Sequence, residues 1–437
     1  MDDLLAARST MAFSLGFHII FASVGMVMPF MMAVAHFLYL KKNRQEDLEL
    51  TKLWMKGVAI LFAVGAVSGT VLSFELGLLW PGFMKHAGPI IGMPFSWEGT
   101  AFFIEAIAIG LFLYGWNRMN RWAHWCAGLV VGISGFASGV FVVAANSWMN
   151  SPAGFEWVNG QAINIDPVAA MFNKAWLHQT MHMQVGAIQA VGFAVAGLHA
   201  LLLLKGGTHS SLHKRALKIA MLFATVGSLI QPAVGHYAAQ KVAEYQPAKL
   251  AAMEAHFKTE ARASLIIGGI PDVETGEVHG AIKIPGALSF LAFNDVNATV
   301  KGLHDFPRDE WPPVLITHIA FQIMVGLGSL MIAIGLLYCW LARKGELPSW
   351  FLKVLLAMTP VGFIAIEAGW VVTEVGRQPW IVYGIMKTKD AVTPMPGVQF
   401  HFYLFVVLYL FLSFVTIWLF RRQVQIAEQN MNKGARV

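Results

Sequence analysis

Residues 11–40 read MAFSLGFHIIFASVGMVMPFMMAVAHFLYL, and KKNR follows at 41–44. That run holds no Asp, Glu, Lys or Arg, and its only histidines are His18 and His36. About 20 apolar residues in a helix cross the hydrocarbon core of a bilayer. Backbone N–H and C=O groups cannot stay unpaired in lipid, so such a run must be helical. Similar runs recur, and with 11–40 they fall roughly at 54–80, 94–117, 122–149, 173–204, 213–240, 313–342, 350–373 and 399–420, with ends set to about 2–4 residues. The expected fold is an all-α integral membrane protein: about nine transmembrane helices in one domain over 1–437.

Composition agrees. Hydrophobic residues make up 57% of the chain and charged residues 13%, against about 25% charged in a soluble domain. The net charge of +6 does not mark a nucleic-acid partner, because the basic residues sit in short clusters between apolar runs. No cleavable signal pattern opens the chain: Asp2 and Asp3 stand where a basic region would be. Cys126 and Cys339 lie in or beside apolar runs and are expected as free thiols. There is no internal repeat and no low-complexity tract.

The basic clusters orient the spans. Lys41, Lys42, Arg44 and Lys52 follow the first run; Arg118 and Arg121 the third. Lys205, Lys214, Arg215 and Lys218 follow the fifth, Arg343 and Lys344 the seventh, Arg421 and Arg422 the ninth. Every odd-numbered exit is therefore expected in the cytoplasm, with the N-terminus outside and the C-terminus inside. One outer connection, 241–312, is polar and long, as functional or disordered loops are.

Ionisable residues inside membrane helices are costly and are usually functional. His18, Glu98, Glu105, His178, His182, Glu367 and Glu374 lie towards the outer side of their runs, as does Met324. His, Met and carboxylate at one depth point to haem iron, since His/Met pairs hold cytochrome haems. Plainer readings stand beside this. A lone His18 can hydrogen-bond a neighbouring helix, and Met324, one of 22 methionines, can be core filler. His178 and His182 share a helix face, yet no third ligand makes a zinc site. Glu98 and Glu105 also share a face, and no cation in their run pairs with them, so a proton relay is the reading. His36, His124 and His199 read as interfacial.

The stretch Glu374-Val-Gly-Arg-Gln-Pro-Trp380 resembles the GRQPW signature of subunit I of the cytochrome bd-type quinol oxidases. Gly16-Phe-His18, Trp97-Glu-Gly99 with Phe102-Phe-Ile-Glu105, Asn146-Ser-Trp-Met149 with Pro152, Lys249-Leu-Ala-Ala-Met-Glu254 and Ile323-Met324-Val-Gly326 resemble further segments of that family, in the same order. The likeness runs from about residue 5 to 420.

The resemblance implies three haems: a low-spin haem b held by His178 and Met324, and a high-spin haem b and a haem d (or further haem b) held singly by His18 and Glu374. It makes Glu98 and Glu105 the proton donors to that pair and puts Arg377 and Gln378 on propionates, with Asn146 and Trp370 beside the haems. Lys249 and Glu254 would bind and deprotonate quinol at the outer surface, in the 241–312 loop. The implied activity is quinol oxidation outside and reduction of O2 to water with cytoplasmic protons, which makes a proton-motive force without pumping. The implied setting is a bacterial or archaeal cytoplasmic membrane, with a second membrane subunit, homologous or self-related, and a small accessory chain.

Two positions depart from the pattern. Gln322 stands where the family often has Arg, and His236 where an acid is usual. They favour a same-fold oxygen reductase with another electron donor; Lys249 and Glu254 oppose it. A haem-free transporter is the remaining alternative. It is expected to show inverted repeats and broken midplane helices, and the sequence shows neither.

Overall fold

The structure, a computed structural model, describes residues 2–206 and 210–434. Among the described residues, nine helical segments are long and apolar enough to cross a membrane. The helices are α1 (Asp3–Lys42), α2 (Gln45–Leu79), α3 (Pro81–Tyr114), α4 (Arg121–Asn150), the short α5 (Pro167–Met171), α6 (Trp176–Lys205) and α7 (Ser210–Tyr245). Then come α8 (Pro247–Met253), α9 (Ala287–Phe293), α10 (Val314–Arg343), α11 (Ser349–Ala357), α12 (Val361–Val375) and α13 (Val398–Gly434). The nine-span expectation holds.

Several ends differ from the expectation. Helix α1 starts at Asp3, capped by the Asp2 carboxylate, which accepts from the Leu5 N–H at 2.7 Å. Helix α3 starts at Pro81 and runs through Pro89 and Pro94. A proline suits the first turn, where the N–H has no intrahelical partner anyway, so Pro81 rather than Pro94 sets the start. Helix α7 continues to Tyr245, so 241–245 is helix and the connection begins at Gln246.

The eighth span is broken, contrary to the expectation of unbroken helices. Helix α11 stops at Ala357 and α12 starts at Val361. Pro360 has no N–H, and its ring crowds the preceding turn. The Thr359 hydroxyl donates to the Leu356 carbonyl at 2.7 Å and covers an acceptor there.

Glycines let the helices approach closely. Gly192 of α6 lies against Ala224 of α7, Gly227 of α7 against Gln189 of α6, and Gly362 of α12 against Ala190 of α6. The core between them holds Met31, Met32, Phe112, Phe193 and Met221, all fully buried. Outward faces stay apolar, as on α13 with Phe400, Val407, Leu410 and Phe414. Cys126 and Cys339 are free.

The long connection is folded. Short antiparallel ladders pair Leu265–Ile267 with Ile282–Ile284, Ile270–Asp272 with Glu277–His279, and Glu260–Ala261 with Thr299–Val300. Leu250, Ala263, Leu288, Ala292 and Val300 form a small core beneath them. This cap sits at one end of the bundle, called here the loop end. Lys42, Arg121, Arg215 and Arg343 mark the opposite, basic end. There the Asp47 carboxylate, fully buried, accepts from Nε and Nη2 of Arg215, both at 2.7 Å.

Candidate functional site

Four groups of polar side chains lie between the loop end and the middle of the bundle; Glu105, expected in the outer half of its run, instead sits past the middle of α3 towards the basic end, because α3 starts at Pro81. In the first, His18 on α1 meets α2: its Nδ1 lies 2.9 Å from Ser68 Oγ. The Ser68 hydroxyl already has carbonyls to donate to, Val64 at 3.0 Å and Gly65 at 3.1 Å. Ser68 therefore accepts from Nδ1–H, and the lone pair of His18 falls on Nε2. That tautomer is the one a metal-ligating histidine adopts when its other nitrogen donates. Gly69 packs close beside it: a Cβ there would stand 3.1 Å from His18 Cε1. Glu367 of α12 joins this group: its Oε2 lies 3.3 Å from the place of a Cβ on Gly16.

Glu75 of α2 belongs to the same region and was missed in the sequence. It is 1% exposed, and its Oε1 accepts from Ser14 Oγ at 2.6 Å. The signal was present: a carboxylate inside the apolar second run, seven residues from Ser68 and so on the same helix face.

The second group lies between α3 and α4. Glu98 Oε1 is 3.5 Å from Ser138 Oγ. Glu105 is buried where α1, α3 and α4 meet; both its oxygens lie 3.4 Å from the place of a Cβ on Gly135, which itself would stand 3.3 Å from the Gly25 carbonyl. Neither carboxylate has an ion pair among the described residues.

The third group gathers around Glu374. Its Oε1 accepts from Asn146 Nδ2 at 2.5 Å, and its Oε2 pairs with Arg377. Arg377 is 3% exposed, yet its Nε and Nη1 have no partner. Those unused donors fit an anionic group, as a haem propionate would be. Gln378 lies beside Arg377: its Oε1 accepts from Thr388 Oγ1 at 2.9 Å, and its Nε2 lies 3.4 Å from the Glu374 carbonyl. Trp370 lies half-buried on α12 between the levels of Glu367 and Glu374.

Lys249 and Glu254 were expected at the surface, and the structure corrects this. Lys249 is 4% exposed and Glu254 is fully buried. The short helix α8 turns Lys249 into the bundle, where its Nζ donates to Asn150 Oδ1 at 2.7 Å and to the Thr373 carbonyl at 3.2 Å. Burial and the Arg377 charge pull the Lys249 ammonium down to about 7, with Glu374 opposing. Burial pushes the Glu254 carboxyl up to about 8, with the Ile266 backbone opposing. The outward side of α8 instead lines an open cleft of about 270 Å³, with Pro247 and Leu250 as its floor and Glu244 and Lys301 at its rim.

The fourth group is His178, His182 and Met324. His178 on α6 is 3% exposed and has Tyr237 edge-on at 6.3 Å between ring centres. His182, one turn deeper, is only half-buried; Gln231 Nε2 lies 3.3 Å from its Nδ1, and a Cβ on Gly235 would stand 3.6 Å from its Cε1. Met324 of α10 is half-buried too, with Sδ 2.8 Å from the place of a Cβ on Gly369 of α12.

Glycine contacts give relative levels to about one helical turn. Gly369 is level with Met324 and Gly362 with Ala190. Seven residues is about 10 Å of helix, so Met324 is level with about residue 183 of α6. A second route runs through Gly335 against Thr225 and Gly227 against Gln189; at the same rise it gives about residue 180. His182 falls within this interval and His178 outside it. His318 of α10 is fully buried, with Nδ1 2.8 Å from the Met253 carbonyl and Nε2 3.3 Å from the Gly268 carbonyl.

The two departures from the family pattern hold the cap. Gln322 Oε1 accepts from Gly268 N–H and its Nε2 donates to the Ile266 carbonyl, both at 2.9 Å. His236 Nε2 lies 2.8 Å from Asn294 Oδ1, at the end of α9. Among the described residues no three of His, Cys, Asp and Glu converge on a bare metal ion.

Comparisons with known proteins show the family and the fold. The family model described as cytochrome bd terminal oxidase subunit I matches residues 6–428. A Bacillus subtilis (strain 168) protein, by name a cytochrome bd menaquinol oxidase subunit I, is 38% identical over 432 residues, 97% of each chain. Another from that strain, cytochrome bd ubiquinol oxidase subunit 1, is 33% identical over 99% of this chain and 96% of its own. The solved bd oxidase from Geobacillus thermodenitrificans superposes with a TM-score of 0.92 at 39% identity, covering 97% of this chain and 98% of that one.

Proposed function

Because the chain belongs to the subunit I family of the cytochrome bd terminal oxidases, we propose that it oxidises quinol at its loop end and reduces O2 with protons drawn from its basic end. Membership removes the transporter alternative, and a broken eighth span does not revive it. Bound haems supply the electron-carrying and oxygen-reducing iron; the chain supplies their ligands, their counter-charges and the protons.

The ligands we assign are His182 with Met324 for a doubly held haem, and His18 and Glu374 each for a singly held one. His182 takes the place first given to His178, which is enclosed and lies off the level of Met324. Three haems per chain follow. His18 offers the Nε2 lone pair while Ser68 holds its ring. Glu374 is oriented on one oxygen by Asn146 and on the other by Arg377. Glu105 and Glu98 hold protons on the α3 face, between the basic end and that pair.

The observation that carries this reading is Arg377. Leaving a buried donor unsatisfied costs about 1–3 kcal/mol, and more when it is charged. Its two free positions, beside a carboxylate already held on both oxygens, call for further acceptors, and a propionate oxygen on either one supplies a charge-assisted bond.

The basic end faces the cytoplasm, and the loop end faces outward in a bacterial or archaeal cytoplasmic membrane. Protons of quinol are then released outside, and charge separates without a pump. Quinol approaches the cap from the side of the Pro247–Leu250 cleft; Gln322 and His236 dock the cap and do not serve another donor. The bare apolar faces of α3 and α13, with Phe103, Ile107, Phe411 and Phe414 exposed, suit lipid and a second membrane subunit, homologous or self-related, with a small accessory chain.

The test is haem content and turnover of the purified complex. Pyridine-haemochrome and iron assays should give three haems per chain, and quinol should drive O2 uptake. One haem or none, or O2 uptake indifferent to quinol, would overturn the reading.

A further inference from the structure

Lys249 lies on α8 at the edge of the cap and turns inward, towards α4 and α12. Its Nζ donates to Oδ1 of Asn150, the last residue of α4, at 2.7 Å. The Asn150 Nδ2 donates to the Asn146 carbonyl at 3.0 Å and to Asn146 Oδ1 at 3.3 Å. The Asn146 Nδ2 donates to Glu374 Oε1 at 2.5 Å. Every donor in this chain points the same way, from ammonium to carboxylate.

That order fixes both amides. Turning Asn150 over would set its NH2 against the ammonium, and turning Asn146 over would set its oxygen against the carboxylate. Asn150 is 1% exposed, so water cannot take over the broken bonds. Aligned hydrogen bonds between opposite charges polarise one another in a low-dielectric interior, and each strengthens the next. The Thr373 carbonyl, one residue before Glu374, accepts from the same Nζ at 3.2 Å. Lys249 thus grips α12 directly as well as through two asparagines.

We propose that Lys249 and Asn150 are positioning residues for Glu374, forming a strap through Asn146 that joins α8 of the cap to the carboxylate. The strap holds Glu374 in one rotamer and couples the seating of α8 to it. Without Lys249 the asparagines lose the charge that orders them. Without Asn150 the hydrogen bonding from Lys249 to α12 is reduced to the Thr373 carbonyl. The proposal rests on Glu374 being a haem ligand only for its spectroscopic readout.

The experiment uses the assembled oxidase in detergent, with Lys249→Met, Asn150→Leu, the double variant and Lys249→Arg. The visible band of the Glu374-held haem should shift in both single variants. The double variant should shift no further than the larger single one, since members of one network are not additive. Lys249→Arg, which keeps a donor, should restore the wild-type band. The low-spin band should stay in place, and KM for quinol should not change. Backbone hydrogen exchange across 247–256 should speed up in both single variants, whatever the carboxylate ligates.

Asn150→Asp guards against misfolding. It keeps the acceptor for Lys249 and loses the donor to Asn146, so exchange at α8 should match the wild type while the band still shifts. Unchanged exchange in Lys249→Met and Asn150→Leu overturns the strap. So does a raised quinol KM in Lys249→Met with a wild-type band, which would return Lys249 to the substrate. Glu374→Ala separates the two ideas: if that variant keeps the band, the ligand assignment fails, and the exchange result alone decides the strap.

Discussion

Replacing His182 and His178 in turn by alanine distinguishes two histidines that share a helix face. Four residues of α-helix separate them by about 6 Å along the axis. A ligand constellation tolerates about 0.5 Å of misplacement. One histidine therefore cannot stand in for the other without moving α6, and α6 is locked by Gly192 against Ala224 and by Ala190 against Gly362. The level of Met324 selects His182. In His182→Ala the sharp low-spin band of the reduced oxidase should disappear and haem content should fall by one per chain. In His178→Ala that band should remain; the cost there is packing around a 3%-exposed ring, about 1–3 kcal/mol, seen as a lower Tm. Reduced-minus-oxidised spectra of the purified complexes decide it. A low-spin band lost in His178→Ala and kept in His182→Ala would refute the levels drawn from the glycine contacts.

Further outcomes follow from the same geometry. Met324→Leu conserves volume and should cost under about 1.5 kcal/mol of stability, yet it should abolish the low-spin band, since leucine offers iron no donor; an unchanged spectrum would make Met324 filler. Glu254 is raised in the fold from 4.5 to about 8, so the folded state holds a proton that the unfolded chain gives up: its contribution to stability is fully present below pH 4.5 and is lost as pH rises through about 8. Glu254→Gln should flatten that loss, and thermal unfolding of the complex from acid to mildly alkaline pH would show whether it does. Lys249, lowered to about 7, acts with the opposite sign, losing stability as pH falls, so only the difference between Glu254→Gln and wild type is diagnostic. With Cys126 and Cys339 replaced by serine, a cysteine at Glu274 should react with an impermeant thiol reagent on intact cells and one at Lys344 should not; the reverse pattern would invert the orientation.

The spans were legible because lipid admits so few alternatives: an apolar run must be a helix, and its length marks it. Their ends were less so. Pro94 reads as a boundary in sequence but is carried inside α3, and the break before Pro360 was overlooked although Thr359-Pro360 announces it. His18, Glu98, Glu105 and Glu374 were found because a titratable group in an apolar run is conspicuous. Glu75 gives the same signal and was passed over, as no recognised segment contains it. The choice between His178 and His182 lies outside any single helix, since only the level of Met324 on another helix breaks the tie. The burial of Lys249 and Glu254 was equally hidden: a polar stretch reads as surface until Gln322, His318 and Asn150 are seen holding it down.

The bond between Asn146 and Glu374 spans 228 residues of sequence. At a synthesis rate of about 5–20 residues per second, roughly 10–45 s separate the appearance of the two partners. For that interval α4 stands in the bilayer with an amide that has no acceptor, and the first four helices already carry His18, Glu98 and Glu105. The assembly machinery therefore meets a half-built pocket that opens sideways and closes only when the last quarter of the chain arrives. Delivery of the iron-bearing groups has a window defined by the ribosome, and slowing translation between α10 and α12 should lengthen it.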